Sequence, residues 1–201
     1  MKTIFRKLAL TLTLAVMVSA ASAQEFSYGV QAGMTVPTLS GDVECDAKVG
    51  YSVGLTTNYM FNDKWGVGLD AIYQTQGCSV DMGSTYEYSR TNLHYLNVPI
   101  MANYQIVDGL SIKAGVQPGF LLGVNSAYKL DGGDRETSDM ASAEDSGYEV
   151  FDLSIPVGLA YNITDNVYVD ARYNIGVTSI SKDDNSDLFN NAFVLSVGFR
   201  F

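Results

Sequence analysis

From residue 26 onward, apolar and polar residues alternate one for one in segment after segment. The clearest case is the last: Phe193, Leu195, Val197, Phe199 and Phe201 are interleaved with Ala192, Val194, Ser196, Gly198 and Arg200. A period of two sends successive side chains to opposite faces of a strand, so one face is large and apolar and the other small or polar. Eight such segments are predicted, at residues 26–36, 49–59, 65–76, 93–104, 110–124, 149–163, 167–180 and 191–201. Short connections at 60–64, 105–109 and 164–166 carry the Asn, Asp and Gly that hairpin turns require. The others, at 37–48, 77–92, 125–148 and 181–190, are longer and acidic. Short turns on one side and long loops on the other are the asymmetry of a transmembrane barrel. The fold expected is all-β: an eight-stranded antiparallel up-and-down transmembrane β-barrel. An even strand count puts both termini on the same side, the periplasmic one.

Alternation alone does not say which face meets lipid, because a soluble barrel alternates too. Two features decide the expectation. The polar face is rich in glycine and amides, such as Gly29, Gln31, Gly33, Ser52, Gly54, Gln74 and Gln117, which suit a crowded interior filled by side chains. The aromatics of the apolar face fall into two rings. Tyr28, Tyr59, Trp65, Tyr104, Tyr161, Phe199 and Phe201 lie beside a terminus or a short turn. Tyr51, Tyr73, Phe151, Tyr173 and Phe193 lie toward the long loops. Tyr51 to Tyr59, Trp65 to Tyr73 and Phe193 to Phe201 each advance by eight residues. At about 3.3 Å per residue and a tilt of roughly 40°, that is about 20 Å, close to the roughly 25 Å apolar band between aromatic girdles.

Residues 1–23 have the form of a secretory signal peptide, with a positive start (Lys2, Arg6, Lys7), an apolar stretch and the small-x-small end Ala21-Ser22-Ala23. The mature domain is then 24–201. The net charge of −10 becomes −13 when the three signal cations leave, which excludes a nucleic-acid partner. No later run approaches the roughly 20 apolar residues of a spanning helix, so a membrane chain of this kind spans as a closed barrel.

The final strand (Phe193, Leu195, Val197, Phe199, Phe201) resembles the C-terminal signature strand of bacterial outer-membrane barrels, and the resemblance implies that it is the signal read by the barrel assembly machinery. The stretches YLNVPIMANY (95–104), IKAGVQPGFLLG (112–123) and FDLSIPVGLAYN (151–162) resemble strands of the outer membrane protein beta-barrel domain family, small porin-like or PorT-like barrels of Bacteroidota. The likeness covers the mature chain. It implies a Gram-negative outer-membrane location, lipid as the partner and no defined activity. The peptidoglycan-binding domain that follows the barrel in OmpA-type proteins is not expected here. Pro99, Pro118 and Pro156 stand in mid-strand, where a missing N–H implies bulges or relaxed pairing.

Candidate chemistry is sparse. The interior is expected to hold Asp70, Asp152 and Asp170 with Lys113, Arg172 and Arg200, three acids against three bases, because a buried charge without a partner is costly. Asp170 is expected to pair with Arg200 or Arg172. Such a set reads as a polar plug, with a gated ion path as the functional alternative. Cys45 and Cys78 lie in the first two long loops and are a disulfide candidate in an oxidising compartment. His94, the sole histidine, has no visible nucleophile and orienting group, so it reads as a rim residue and the protein as no enzyme. The carboxylates at 131–145 and 183–187 lack the spacing of an EF-hand loop and read as solvated acidic loops. No cofactor and no metal site is expected, and no extracellular partner is named. The functions open at this point are a structural or adhesive anchor, a narrow porin-like channel or transport-linked component, and, last, an outer-membrane enzyme.

Overall fold

The computed structural model describes residues 26–41, 46–80, 86–130, 135–138, 140, 141–144, 146–183 and 186–201. The expected signal peptide and Cys45 lie outside them. Twelve strands are formed among the described residues: β1 (Phe26–Gly41), β2 (Gly50–Met60), β3 (Trp65–Leu69), β4 (Ala71–Val80), β5 (Tyr86–Asn97), β6 (Ile100–Val107), β7 (Leu110–Leu130), β8 (Arg135–Thr137), β9 (Ala141–Ser142), β10 (Phe151–Asn162), β11 (Val167–Gly176) and β12 (Leu188–Arg200). β3 and β4 together are one wall strand interrupted at Asp70, and β5 and β6 another interrupted at Val98 and Pro99. Counting each of these once, eight wall strands run up and down in an antiparallel ring. β1 closes the ring by pairing with both β2 and β12, so Gly33 faces Ser52 on one side and Ser196 on the other. Closure removes the unpaired edges that a bilayer would not tolerate.

The short connections are built by their own side chains. Asn62 Oδ1 accepts from the backbone N–H of Lys64 and Trp65, both at 2.9 Å. Thr164 Oγ1 accepts from Val167 N–H at 3.0 Å. Gly109 turns the β6–β7 hairpin at φ +81°, a backbone region that side chains disfavour. Several strands run past their expected ends on the long-loop side. β7 continues to Leu130, where β5 pairs with it, and β8 and β9 return along it. The third long loop is thus partly sheet.

The faces sort as the alternation requires. Leu55, Leu159 and Val197 point out of the barrel, 63%, 48% and 55% exposed, while Asp170 and Arg172 are buried at 1% and 3%. Aromatics couple across neighbouring strands in both girdles. Trp65 and Tyr104 lie 4.6 Å apart and Tyr28 and Phe201 5.6 Å apart at the turn end. Tyr51 and Tyr73 at 6.0 Å and Phe120 and Phe151 at 5.9 Å mark the loop end.

The wall breaks where the sequence predicts relaxed pairing. Pro156 lacks an N–H, and the β10–β7 ladder skips from Ser154–Gln117 to Val157–Ala114. At Pro99 the ladder is carried by neighbours: Asp70 N–H donates to Pro99 O at 3.1 Å and Val98 N–H to Pro118 O at 2.9 Å.

Candidate functional site

The interior is stacked in three tiers from the turn end to the loop end. In the lowest, the Asp170 carboxylate is gripped on both oxygens. Arg172 Nε donates to Oδ1 at 2.6 Å and Lys113 Nζ to Oδ2 at 2.9 Å. Arg172 reaches on to Gln31 Oε1 at 3.5 Å, so β7, β11 and β1 are tied through the middle of the barrel. Asp70 sits in the break between β3 and β4 and accepts from Thr57 N–H at 3.2 Å, which ties the interrupted strand to β2. Ion pairs formed in a low-dielectric interior tie these strands together.

Arg200 is not part of that grip. Its guanidinium lies over the ring of Tyr168, 5.1 Å from the centroid, and Tyr168 O–H donates to Thr56 Oγ1 at 3.3 Å. Tyr168 can lie inward there because it faces Gly198, where a Cβ would come within 2.1 Å of the ring. Together these groups border a cavity of about 120 Å³ at the turn end, lined also by Lys113, Asp70 and the amides of Asn58, Asn103 and Asn162.

The second tier is polar and nearly neutral. Asp152 accepts from Thr178 Oγ1 at 3.2 Å and from Asn190 Nδ2 at 3.1 Å, and Asn190 Nδ2 also donates to Gln76 Oε1. Asp152 is therefore held by a hydroxyl and an amide rather than by a base.

The third tier departs from the polar filling expected from the alternation. The loop end of the interior is apolar, packed from Leu39, Cys78, Leu93, Tyr95, Leu121, Val124, Ala143, Ile180 and Leu188. The expectation that the polar face alone fills the middle holds for the lower two tiers only. A roof joins the last two long loops over this cap. Tyr148 bridges Ser181, Glu149 N–H donates to Ile180 O at 2.8 Å, and Ile180 N–H to Leu188 O at 2.8 Å. The sequence did carry a signal for the cap: residues 93–96 are Leu-His-Tyr-Leu, apolar on both parities, which a strand facing lipid on one side only would not need. Tyr168 was also legible, sharing its parity with Asp170 and Arg172.

The remaining candidates lie at the loop end. His94 lies on the outer wall at the loop-end girdle. Tyr73 O–H and Asn125 Oδ1 contact its two nitrogens at 2.6 and 2.7 Å. Cys78 is buried in the cap, and its neighbour Ser79 exchanges two backbone hydrogen bonds with Asp46, at 2.8 and 3.0 Å. Lys48, beyond the girdle in the first long loop, reaches across Gly77 to Asn92 Oδ1. Burial pushes its ammonium down to about 8, with Arg90 adding to the shift and Cys78 opposing it. Most carboxylates of the acidic loops lie outside the described residues.

The model of the outer membrane protein beta-barrel domain matches residues 21–182. The chain belongs to that family. It is an integral outer-membrane β-barrel protein, with the apolar wall in the bilayer. No curated protein matches the sequence. Among solved structures, the barrel is similar to Ail, the attachment invasion locus protein of Yersinia pestis, with a TM-score of 0.52 and 19% identity over 89% of this chain and 100% of that one. It is also similar to Neisserial surface protein A, with a TM-score of 0.48 and 17% identity over 86% and 95% of the two chains. Ail has also been solved with the heparin analogue sucrose octasulfate.

Proposed function

We propose that this protein is a closed barrel acting as a structural and adhesive anchor, holding acidic loops at the surface of a Gram-negative cell of the Bacteroidota type. One observation carries the reading: two polar tiers and an apolar cap fill the interior, and a roof of paired loop backbone covers it. An eight-stranded wall has room for such a filling and little else. In this reading residues 1–23 are removed on export, and the barrel assembly machinery reads the final strand through Phe193, Leu195, Val197, Phe199 and Phe201. Both termini then face the periplasm and the long loops face outward. Cys45 and Cys78 form a disulfide there, and the bridge between their neighbours Asp46 and Ser79 supports it. Unlike the polyanion bound by Ail, the ligand suited to acidic loops is a cation or a basic protein surface.

The alternative of a narrow porin-like channel or transport-linked component draws support from the cavity at the turn end, with Lys113 and Arg200 at its wall. Catalysis at His94 draws none. Its side-chain partners are a phenol and an amide, and the serine or aspartate that an enzyme of this kind would need is not among them. Planar-bilayer recording separates anchor from channel. The anchor reading expects a flat baseline, and repeated unitary steps would replace it with the channel.

A further inference from the structure

Of the tiers inside the barrel, the lowest is the one with room. Its cavity of about 120 Å³ opens at the end that carries the short turns. The charge there runs against that of the protein. The whole chain is −10, yet the lower interior gathers Lys113, Arg172 and Arg200 against Asp70 and Asp170, an excess of one positive charge. Arg172 and Lys113 are engaged by Asp170, whereas the Arg200 guanidinium lies over a tyrosine ring at the wall of the cavity. A guanidinium held by its face leaves its donor edge available for an oxyanion. The neighbouring wall is made of amides, and Asn103 Oδ1, buried beside the cavity, has no hydrogen-bond partner among the described residues. An unpartnered acceptor across the cavity from that cation matches a group that offers an N–H near a carboxylate. The volume admits about one small residue and excludes a nucleotide or an oligosaccharide.

We propose that this vestibule binds the carboxyl end of a peptide, with the terminal carboxylate on Arg200 and the preceding amide against Asn103. Such an end comes from two sources, the C-terminus of a protein or the D-residue stem of a cell-wall peptide. The chemistry is common to both. That the mouth faces the periplasm rests on the orientation proposed above, but the binding does not.

The test uses the mature barrel in micelles, followed by backbone amide shifts at Thr56, Tyr168 and Arg200. L-Ala-L-Ala and D-Ala-D-Ala are titrated as free acids and as C-terminal amides, with inorganic phosphate alongside. A free acid is expected to bind saturably, with a dissociation constant on the order of millimolar, and its amide at least about tenfold more weakly. Preference for the L or the D dipeptide names the source. Arg200→Gln is expected to weaken binding about tenfold or more, and Asn162→Asp, which sets a carboxylate at the mouth, acts in the same direction in a second, independent variant. Heat-modifiable migration checks that each variant is folded. Equal binding of acid and amide, binding indifferent to both substitutions, or phosphate binding tighter than either dipeptide would overturn the proposal. A conducting wild-type barrel would refute the anchor reading and leave these outcomes unchanged.

Discussion

Arg172 donates to Asp170 from two positions along the same strand, at 2.6 Å, and Lys113 completes the carboxylate from β7 at 2.9 Å. One buried acid thus serves a buried arginine and a partly buried lysine. Asp170→Asn is expected to cost about 3–5 kcal/mol of unfolding free energy, because it strands the buried Arg172 guanidinium. Replacing Arg172 by Met in that background is expected to recover part of the loss. Urea unfolding followed by tryptophan fluorescence in lipid vesicles measures both, and a single variant as stable as wild type would show that the grip adds nothing.

The glycines of the inner face differ sharply in what they tolerate. A Cβ at Gly115 would sit 1.9 Å from the Ile100 carbonyl oxygen, whereas one at Gly68 would approach Thr57 O at 3.1 Å. Gly115→Ala must therefore move a neighbouring strand and is expected to destabilise the barrel by about 1–3 kcal/mol. Gly68→Ala is expected to change stability by less than about 1 kcal/mol. The same unfolding assay ranks the pair, and equal effects would count against close inter-strand packing at Gly115.

Ile180 is fully buried in the cap while its backbone fastens the roof to Glu149 and Leu188. Ile180→Asp places a charge among apolar side chains and is expected to release the roof while the wall survives. Limited proteolysis is expected to cut within residues 138–150 and 177–187 faster than in wild type, with heat-modifiable migration retained. Unchanged cleavage would mean that the loops hold together without the cap.

Lys48 gives the fold a pH dependence with a definite sign. Its ammonium ionises at about 8 when folded, against 10.5 when free, because burial disfavours the charged form. Between those values the unfolded chain holds a proton that the folded chain has lost, so stability rises with pH across about 8 to 10.5. Below about 8 both states are protonated and the full penalty is present. Carbon-13 titration of the lysine side chain is expected to find the low value, and Lys48→Met to flatten the rise in urea midpoint across that window. A midpoint slope unchanged by the substitution would assign the effect to another group.

The cysteine pair is checked by mass. Mature protein under non-reducing conditions is expected to run two hydrogens lighter than after reduction, as one intramolecular bond requires. Two alkylatable thiols in the unreduced protein would exclude it.

The sequence by itself determined the wall. A strict period of two, turn residues at 62, 109 and 164, and aromatics at both ends of each apolar run leave one way to satisfy every backbone group in a bilayer. It also determined which charges go inside, since Asp70, Lys113, Asp152, Asp170, Arg172 and Arg200 all share the polar parity. Only the tertiary structure decided how those charges pair. Parity says that Arg172 and Arg200 both face inward, but their reach to Asp170 depends on the stagger of strands around the ring and on Tyr168 lying over Gly198. The cap was decided in the same way. Leu93 and Leu121 come from the wall and Ile180 and Ala143 from loops distant in sequence, and an apolar residue in a loop does not announce the partner it will meet until closure brings the barrel mouth beneath it.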